Sequence, residues 1–190
     1  DDFSNAWYQP HCYRPAVHHP GTGKSSEFCF VGTGYESRVE FFEKVDFTGI
    51  NTRLAGNWQG LDDDSPLRPF LIQNAEECLD NATTADLYRG TEVSANLYRR
   101  EANDPSLEQG WAIGPREVEL AACGTFFLRD PRPESDEVLG MLPAFTEPGE
   151  FTDLLRYWLP LPDQREQLAG KAREAIADRT FTAAATRLLA

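Results

Sequence analysis

Two stretches of the sequence combine glycine with charged residues in a way that suits an anionic ligand. In residues 32–38, Gly32 and Gly34 allow the backbone to approach a diphosphate closely, and Arg38 adds a positive charge. A helix predicted directly after them would also offer free backbone N–H groups. The other interpretation is an ordinary tight turn, because the third glycine of a dinucleotide-binding motif is missing.

The second stretch is residues 114–124, which follow a long loop. Gly114 precedes a predicted helix that places Arg116 and Glu119 about one turn apart, so that both face the same way. A cation and an acid that follow a long loop at the mouth of a strand are more than packing on a sheet requires. The simpler alternative is a structural helix whose small residues pack on a sheet and whose acids complement the helix dipole.

These stretches lie within an alternating pattern of strands and helices. The apolar run 28–31 predicts a strand buried on both faces, and residues 36–45 predict an amphipathic helix after it. The alternation predicts a Rossmann-like α/β fold with a doubly wound parallel sheet and C-terminal helices. Further strands are predicted at 51–55, 70–72, 93–98 and 125–128, and further helices at 83–89, 115–123, 151–158, from 163 with a capping box of Asp163 and Glu166, and at 180–190.

A parallel sheet of this kind has one favoured place for a ligand. Ligands bind at the carboxyl ends of the strands, where loops meet the beginnings of helices. The stretch 32–38 follows a predicted strand, and the stretch 114–124 follows a long loop after another predicted strand. We therefore expect the two stretches to border the same cleft.

The charge balance restricts the possible partners. The chain carries 31 acidic and 18 basic residues, a formal net charge of -13. Such a surface repels a phosphate backbone at long range, which argues against general nucleic-acid binding. An anionic ligand would have to be held by individual arginines and backbone N–H groups.

Length and composition predict one domain preceded by a connector. Residues 1–24 are rich in proline and glycine and predict a linker, and residues 25–190 predict the folded domain. The chain begins with Asp1 rather than Met, and we expect an N-terminal domain upstream of it. With no leader, no membrane segment and no paired spacing among its four cysteines, the protein is expected to be cytoplasmic with reduced thiols.

Two groups of residues could instead suggest a metal. His11, His18 and His19 are the only histidines, and a polar linker explains them better than a metal site does. The acids of residues 62–64 resemble a divalent-cation motif, but they lie in a polar loop rather than at the end of a buried strand. We expect a solvated turn there and no metal site.

Residues 116–124 and the strand after them resemble the donor-site signature of the two-Rossmann-domain (GT-B) glycosyltransferases. More closely, the chain resembles the spore-maturation-protein-like (CgeB-like) branch, including phage and actinobacterial members. The resemblance runs from about residue 13 to residue 189, in the order of the family. The other shared segments are Val31-Gly32-Thr33-Gly34-Tyr35, Leu54-Ala55-Gly56-Asn57-Trp58, Asn96-Leu97-Tyr98-Arg99 and Thr180-Phe181.

The resemblance implies that this chain is the C-terminal, donor-binding half of such an enzyme. By that likeness Glu119 would bind the ribose hydroxyls, and Arg116 would face the diphosphate or the sugar. Gly32 and Gly34 would border the donor phosphates. The remaining implied donor-binding residues are Arg38, Tyr98, Arg99 and Gly114.

One position departs from the family pattern. Many retaining members carry a second Glu eight positions before the ribose Glu, where this chain has Trp111, and Glu108 is out of register. The stereochemical outcome is therefore left open. Trp58 and Trp111 could stack on a base or sugar, although burial against the sheet is the simpler interpretation.

The implied reaction is glycosyl transfer from a nucleotide-diphosphate sugar, with no cofactor and no metal. A fixed arginine and helix dipoles would stabilise the charge that develops on the leaving diphosphate. The resemblance places the acceptor site, and any catalytic base, in the missing N-terminal domain, so the fragment alone is expected to be inactive. The alternative is a nucleotide-binding or interaction module with no catalytic activity.

Overall fold

The centre of the molecule is a parallel sheet of four strands. The computed structural model describes residues 8–101 and 110–189. Its strands are β1 (Ser26–Val31), β2 (Thr52–Ala55), β3 (Thr91–Asn96) and β4 (Phe127–Arg129), in the spatial order β2-β1-β3-β4. The register aligns Phe28 with Thr52 on one side and with Val93 on the other. The predicted parallel α/β fold is confirmed.

Helices flank the sheet and connect its strands. Most begin and end within a few residues of their predicted positions, because the hydrophobic periodicity is local information. Their bounds are α1 (Glu36–Glu43), α2 (Asn81–Arg89), α3 (Pro115–Ala122), α4 (Pro133–Leu139), α5 (Pro148–Trp158), α6 (Pro162–Ala175) and α7 (Phe181–Leu189).

Two of the local predictions are wrong, and one helix was not predicted. Residues 70–72 do not form a strand: a 3-10 turn covers Arg68–Phe70, and only an isolated bridge joins Leu71 to Leu54. The predicted capping box at Asp163 is absent, because α6 already begins at Pro162 and receives no side-chain cap. Helix α4 was not predicted, since its inner face buries Glu134 and Ser135 rather than an apolar stripe.

An aromatic cluster fills the space between the sheet and the helices. Phe28 and Phe30 of β1 pack against Phe42 of α1 with ring centroids 6.2 and 4.9 Å apart. Phe151 of α5 meets Phe28 edge-to-face at 5.6 Å. All four rings are fully buried, so α1 and α5 are fixed to β1 mainly by apolar contact.

Residues 8–24, which we call the leading segment, pack on the sheet-and-helix domain. Tyr13 forms an isolated parallel bridge with Thr180, and Arg89 Nη1 donates to the carbonyl of Val17 at 2.8 Å. The predicted division between linker and domain near residue 24 stays a prediction. The structure adds that residues of this segment contact α2 and the beginning of α7.

Gly56 closes the turn after β2 and fits against the Gly32 turn. Its φ of 101° is unfavourable for any residue with a Cβ, and an added Cβ would lie 2.5 Å from the carbonyl oxygen of Gly32. The close approach of the two backbones therefore requires glycine at this position.

The substitution Gly56→Ala is expected to lower the free energy of unfolding by about 1–3 kcal/mol, because it combines a strained φ with a backbone clash. Chemical denaturation measures this change. The matched control is Gly149→Ala, where an added methyl group meets nothing and φ is ordinary, with an expected change within about 0.5 kcal/mol. Equal effects of the two substitutions would contradict the prediction.

Candidate functional site

The sheet has a topological switch point between β1 and β3. The chain moves outward from β1 to β2 and then crosses back to β3 and β4, so connections leave β1 and β3 in opposite directions. Open α/β sheets bind ligands outside the carboxyl ends of the strands at such a point. The end of β1 is Val31 and the end of β3 is Asn96.

Arg116 spans this switch point from the first turn of α3. Its Nε donates to the Val31 carbonyl at 3.0 Å, and its Nη1 donates to Asn96 Oδ1 at 3.0 Å. The guanidinium also lies over the ring of Phe30, 4.8 Å from the centroid. The structure thus holds a cation between the carboxyl ends of the two central strands.

A crevice of about 320 Å³ opens at this cation. We call it the arginine crevice, because four arginines line it and none of the described residues that line it is acidic. In a chain of net charge -13 this is a local reversal of sign. Its lining residues are His11, Arg38, Asn96, Tyr98, Arg99, Ala112, Ile113, Gly114, Pro115, Arg116 and Arg132.

Two of the predicted donor-binding arginines, Arg38 and Arg99, differ in burial and in hydrogen bonding. Arg38 is buried and donates to the carbonyls of Leu97, at 2.7 and 3.0 Å, and Thr33, at 2.9 Å, so it ties two loops together. Burial, reinforced by the charge of Arg116, lowers the pKa of Arg38 to about 10. Arg99 is exposed and lies over the ring of Tyr35. Arg99 is therefore the more available of the two for a ligand.

A buried network fixes the beginning of α3. The carboxylate of Glu117 accepts hydrogen bonds from the Tyr98 hydroxyl, from the Gly114 N–H at 3.0 Å and from the Ser135 hydroxyl at 2.6 Å. The Tyr98 hydroxyl also accepts from the Gly114 N–H. Burial raises the pKa of Glu117, and the hydrogen bonds partly offset that effect. Tyr98 and Gly114 thus shape the wall of the crevice, with the Gly114 N–H already engaged.

The glycines of the first stretch have packing reasons. A Cβ at Gly32 would lie 2.5 Å from Arg116 Nη2, so glycine at this position makes room for the guanidinium. A Cβ at Gly34 would lie 2.4 Å from the ring of Trp58, which is fully buried. Gly32 therefore leaves space for Arg116, and the absence of a side chain at Gly34 accommodates the tryptophan, but neither glycine lines the arginine crevice.

The beginning of α1 is less open than the sequence indicated. The Ser37 N–H donates to Glu101 Oε1 at 2.7 Å, so a carboxylate occupies the position at which a free amide group was expected. At α3, in contrast, Pro115 has no N–H, and within the described residues the backbone N–H of Arg116 has no hydrogen-bond partner. The available amide groups are those of α3.

Glu119 lines a second, adjoining cavity of about 650 Å³. Its side chain is 24% exposed, so it is neither packed in the core nor fully solvated. Burial raises its pKa, and the charge of Arg116 acts in the opposite direction. This Glu119 cavity shares His11 and Pro115 with the arginine crevice. Arg116 and Glu119 therefore serve neighbouring cavities rather than pointing into a single one.

Three residues of the candidate site were not predicted as site residues from the sequence. Arg132 stacks on the ring of Tyr98 at 3.6 Å, and Asn96 and His11 also line the crevice. Arg132 precedes the unpredicted helix α4, whose first residue is Pro133. Proline followed by glutamate at a helix beginning was the available signal.

The alternative sites named from the sequence are less supported. Residues 62–64 lie in a loop, where Asp63 pairs with Arg68 at 2.9 Å. Among the residues that the structure describes, no three His, Cys, Asp or Glu side chains are grouped to hold a metal. Trp58 is buried, as expected, whereas Trp111 is 46% exposed and contacts Tyr8. Glu108 lies outside the described residues.

The four cysteines form no disulfide bond. Cys12, Cys29, Cys78 and Cys123 are all free thiols, and Cys29 and Cys123 are buried. Among residues 8–101 and 110–189, no helix has both the length and the apolar character needed to span a bilayer.

A parallel four-stranded sheet with flanking helices and a cationic switch point defines a Rossmann-like α/β domain. The chain belongs to the glycosyl transferase-like family, whose model matches residues 38–190. No curated protein matches the chain.

Solved glycosyltransferase structures share the fold at low sequence identity. Sucrose-phosphate synthase from Thermosynechococcus elongatus is 12% identical with a TM-score of 0.70, over 95% of this chain and 50% of that one. AviGT4, a glycosyltransferase involved in avilamycin A biosynthesis, is 15% identical with a TM-score of 0.63, over 97% of this chain and 57% of that one. The chain thus spans about half the length of these proteins.

A third structure with the same fold is a single domain. The C-terminal domain of a glycosyl transferase group 1 family protein from Francisella tularensis is 11% identical with a TM-score of 0.59. The alignment covers 88% of this chain and 97% of that domain. The predicted Rossmann-like fold of the GT-B glycosyltransferases is confirmed.

Proposed function

We propose that this chain is the donor domain of a glycosyltransferase and binds a nucleotide-diphosphate sugar. One observation carries the proposal: Arg116 lies between the carboxyl ends of β1 and β3, inside a crevice with three further arginines. A diphosphate is the part of such a donor that matches this charge. Family membership supports glycosyl transfer as the reaction class.

The two adjoining cavities suggest how the donor would lie. The diphosphate would occupy the arginine crevice, near the free N–H groups of α3. The ribose would reach Glu119 across the shared residues His11 and Pro115. A carboxylate accepts hydrogen bonds from two neighbouring hydroxyls, which suits a ribose diol. Gly32 and Arg99 would border the phosphates, and Arg38 and Tyr98 would keep the walls in place.

The chemistry follows from where charge develops. The bond from the anomeric carbon to the phosphate oxygen breaks, and the electron pair leaves with the nucleoside diphosphate. Arginines that are already fixed stabilise that charge more in the transition state than in the bound substrate. We therefore propose a metal-independent reaction, because the crevice supplies cations of its own.

This proposal assigns donor binding, but not acceptor binding, to the chain. Since the chain spans about half the length of the enzymes it resembles, we propose that the acceptor site and any catalytic base belong to a preceding domain. The spore-maturation-protein-like branch is the proposed relationship within the family. The second candidate is a nucleotide-binding module without activity.

Calorimetry of the 190-residue chain tests the donor-domain proposal. The probes are UDP, GDP, ADP and CDP with their common hexose conjugates, each with and without EDTA. Binding of one diphosphate that is indifferent to the chelator supports the proposal. Binding lost with EDTA would contradict metal independence, and no binding to any probe would overturn the donor-domain assignment. Binding without hexosyl transfer by the complete protein would leave the inactive module.

The substitution Glu119→Gln is expected to weaken binding of the diphosphate about 10- to 100-fold, because the ribose loses a charged hydrogen-bond acceptor. The isosteric amide preserves the packing of α3. Glu174→Gln on the exposed side of α6 is the matched control, with no expected change. If both variants bind like the wild type, Glu119 has no part in donor binding.

A further inference from the structure

His18 presents a buried hydrogen-bond donor toward the Glu119 cavity. The residue is 5% exposed and lines the cavity together with Glu119. Its Nε2 has no hydrogen-bond partner among the described residues. Glu119 Oε1 lies 3.9 Å from that nitrogen, which is beyond hydrogen-bonding distance.

The position of the proton follows from the other ring nitrogen. His18 Nδ1 accepts the Arg14 N–H at 3.4 Å, and the His18 N–H donates to the Arg14 carbonyl at 2.8 Å. Burial lowers the pKa of His18, so the ring is neutral near pH 7. An Nδ1 that accepts the Arg14 N–H leaves the single proton of a neutral ring on Nε2. A buried N–H without a partner is unfavourable, so an acceptor that moves toward it is stabilised.

Glu119 is the acceptor that can make this movement. Its carboxylate is partly exposed, whereas the Nε2 atom of His18 is shielded from solvent. A shift of about 1 Å would bring Oε1 into hydrogen-bonding distance of Nε2. The other oxygen would then face the cavity, available to a ligand hydroxyl.

We propose that His18 is a positioning residue, which donates to Glu119 and fixes its carboxylate for the hydroxyls of the donor ribose. This inference rests on the proposed function, because it needs a ribose in the Glu119 cavity. His18 acts through Glu119 and does not itself contact the ligand. The leading segment, which contributes no element to the sheet, thereby becomes part of the donor site.

The test compares two ligands on two variants. The probes are the best-binding diphosphate of UDP, GDP, ADP and CDP, and its 2′,3′-dideoxy form, measured by calorimetry. His18→Phe keeps a ring of similar size but removes the donor. It is expected to weaken ribonucleotide binding about tenfold and to change dideoxynucleotide binding less than about twofold, since only the former uses Glu119.

His18→Gln is the rescue variant, because its amide nitrogen reaches the position of Nε2. It is expected to restore ribonucleotide affinity to within about threefold of wild type. Circular dichroism confirms the fold of each variant. If His18→Phe does not fold, His18→Met takes its place as the variant without a donor.

The outcomes separate this inference from the proposed function. Equal losses for both ligands, or no loss for the ribonucleotide, would overturn the role of His18 while leaving donor binding intact. A wild-type chain that binds none of the diphosphates would overturn both.

Discussion

Diphosphate binding is expected to fall at least about 100-fold in Arg116→Ala, the largest effect of any single change in the crevice. Arg116 is the arginine at the switch point, and its guanidinium is oriented by Val31 and Asn96. Removing it deletes a fixed cation and leaves the orienting oxygens without their donor. Calorimetry with the diphosphate that binds the wild-type chain measures the loss.

Two controls make this prediction specific. Arg173→Ala removes the same charge from the exposed surface of α6 and is expected to leave binding unchanged. Arg116→Lys keeps the charge but loses the planar fork that contacts two acceptors at once, so its affinity is expected to lie between those of wild type and Arg116→Ala. Wild-type affinity in Arg116→Ala, with the fold retained, would remove the basis of the donor proposal.

Trp58→Ala is expected to lower the free energy of unfolding by about 3–5 kcal/mol, the largest stability effect among these predictions. The indole is fully buried, and its Nε1 donates to the Ala55 carbonyl at 3.0 Å. It also packs beneath Gly34 and against Phe30 and Phe42. Its loss leaves a cavity under the turn that follows β1. Urea denaturation monitored by circular dichroism measures the change.

Trp111→Ala is the matched control, the same exchange at a tryptophan that is 46% exposed. Its expected cost is below about 1 kcal/mol, because little buried area is lost. Together, the two variants also distinguish stacking on a ligand from burial against the sheet, the two interpretations of these tryptophans. If Trp58→Ala weakens ligand binding with an unchanged unfolding transition, Trp58 would be a ligand contact rather than a core residue.

Positive charge is concentrated in one crevice of an acidic chain. The net charge of -13 keeps the surface unfavourable for polyanions, while the arginines concentrate positive charge in one crevice. Three of these arginines are held in place: Arg38 by carbonyls, Arg116 by Val31 and Asn96, and Arg132 by the ring of Tyr98. In the proposed function a small diphosphate would enter this field, whereas the net negative charge of the chain would repel an extended nucleic acid.

The sequence determined the sheet and most of the helices. The four strands and the parallel sheet were predicted from apolar runs that alternate with amphipathic stretches, whereas the spatial order of the strands was not predicted. Prediction from the sequence failed where an apolar run was short or where the buried face of a helix was polar. Residues 70–72 are apolar but too few to distinguish a strand from a turn, and α4 packs its Glu134 and Ser135 inward because partners distant in sequence satisfy them.

For the candidate site, the sequence and the family resemblance predicted Arg116 and Glu119 but not their surroundings. Only the tertiary structure showed that Arg38 is occupied by loop carbonyls, that Arg132 joins the crevice, and that Glu119 faces a separate cavity. The reason is the distance along the chain: Arg116 meets Val31 across 85 positions, and His18 approaches Glu119 from the leading segment. Spacing along a helix predicts which side chains lie on the same face, whereas the direction each one takes depends on partners that folding brings together.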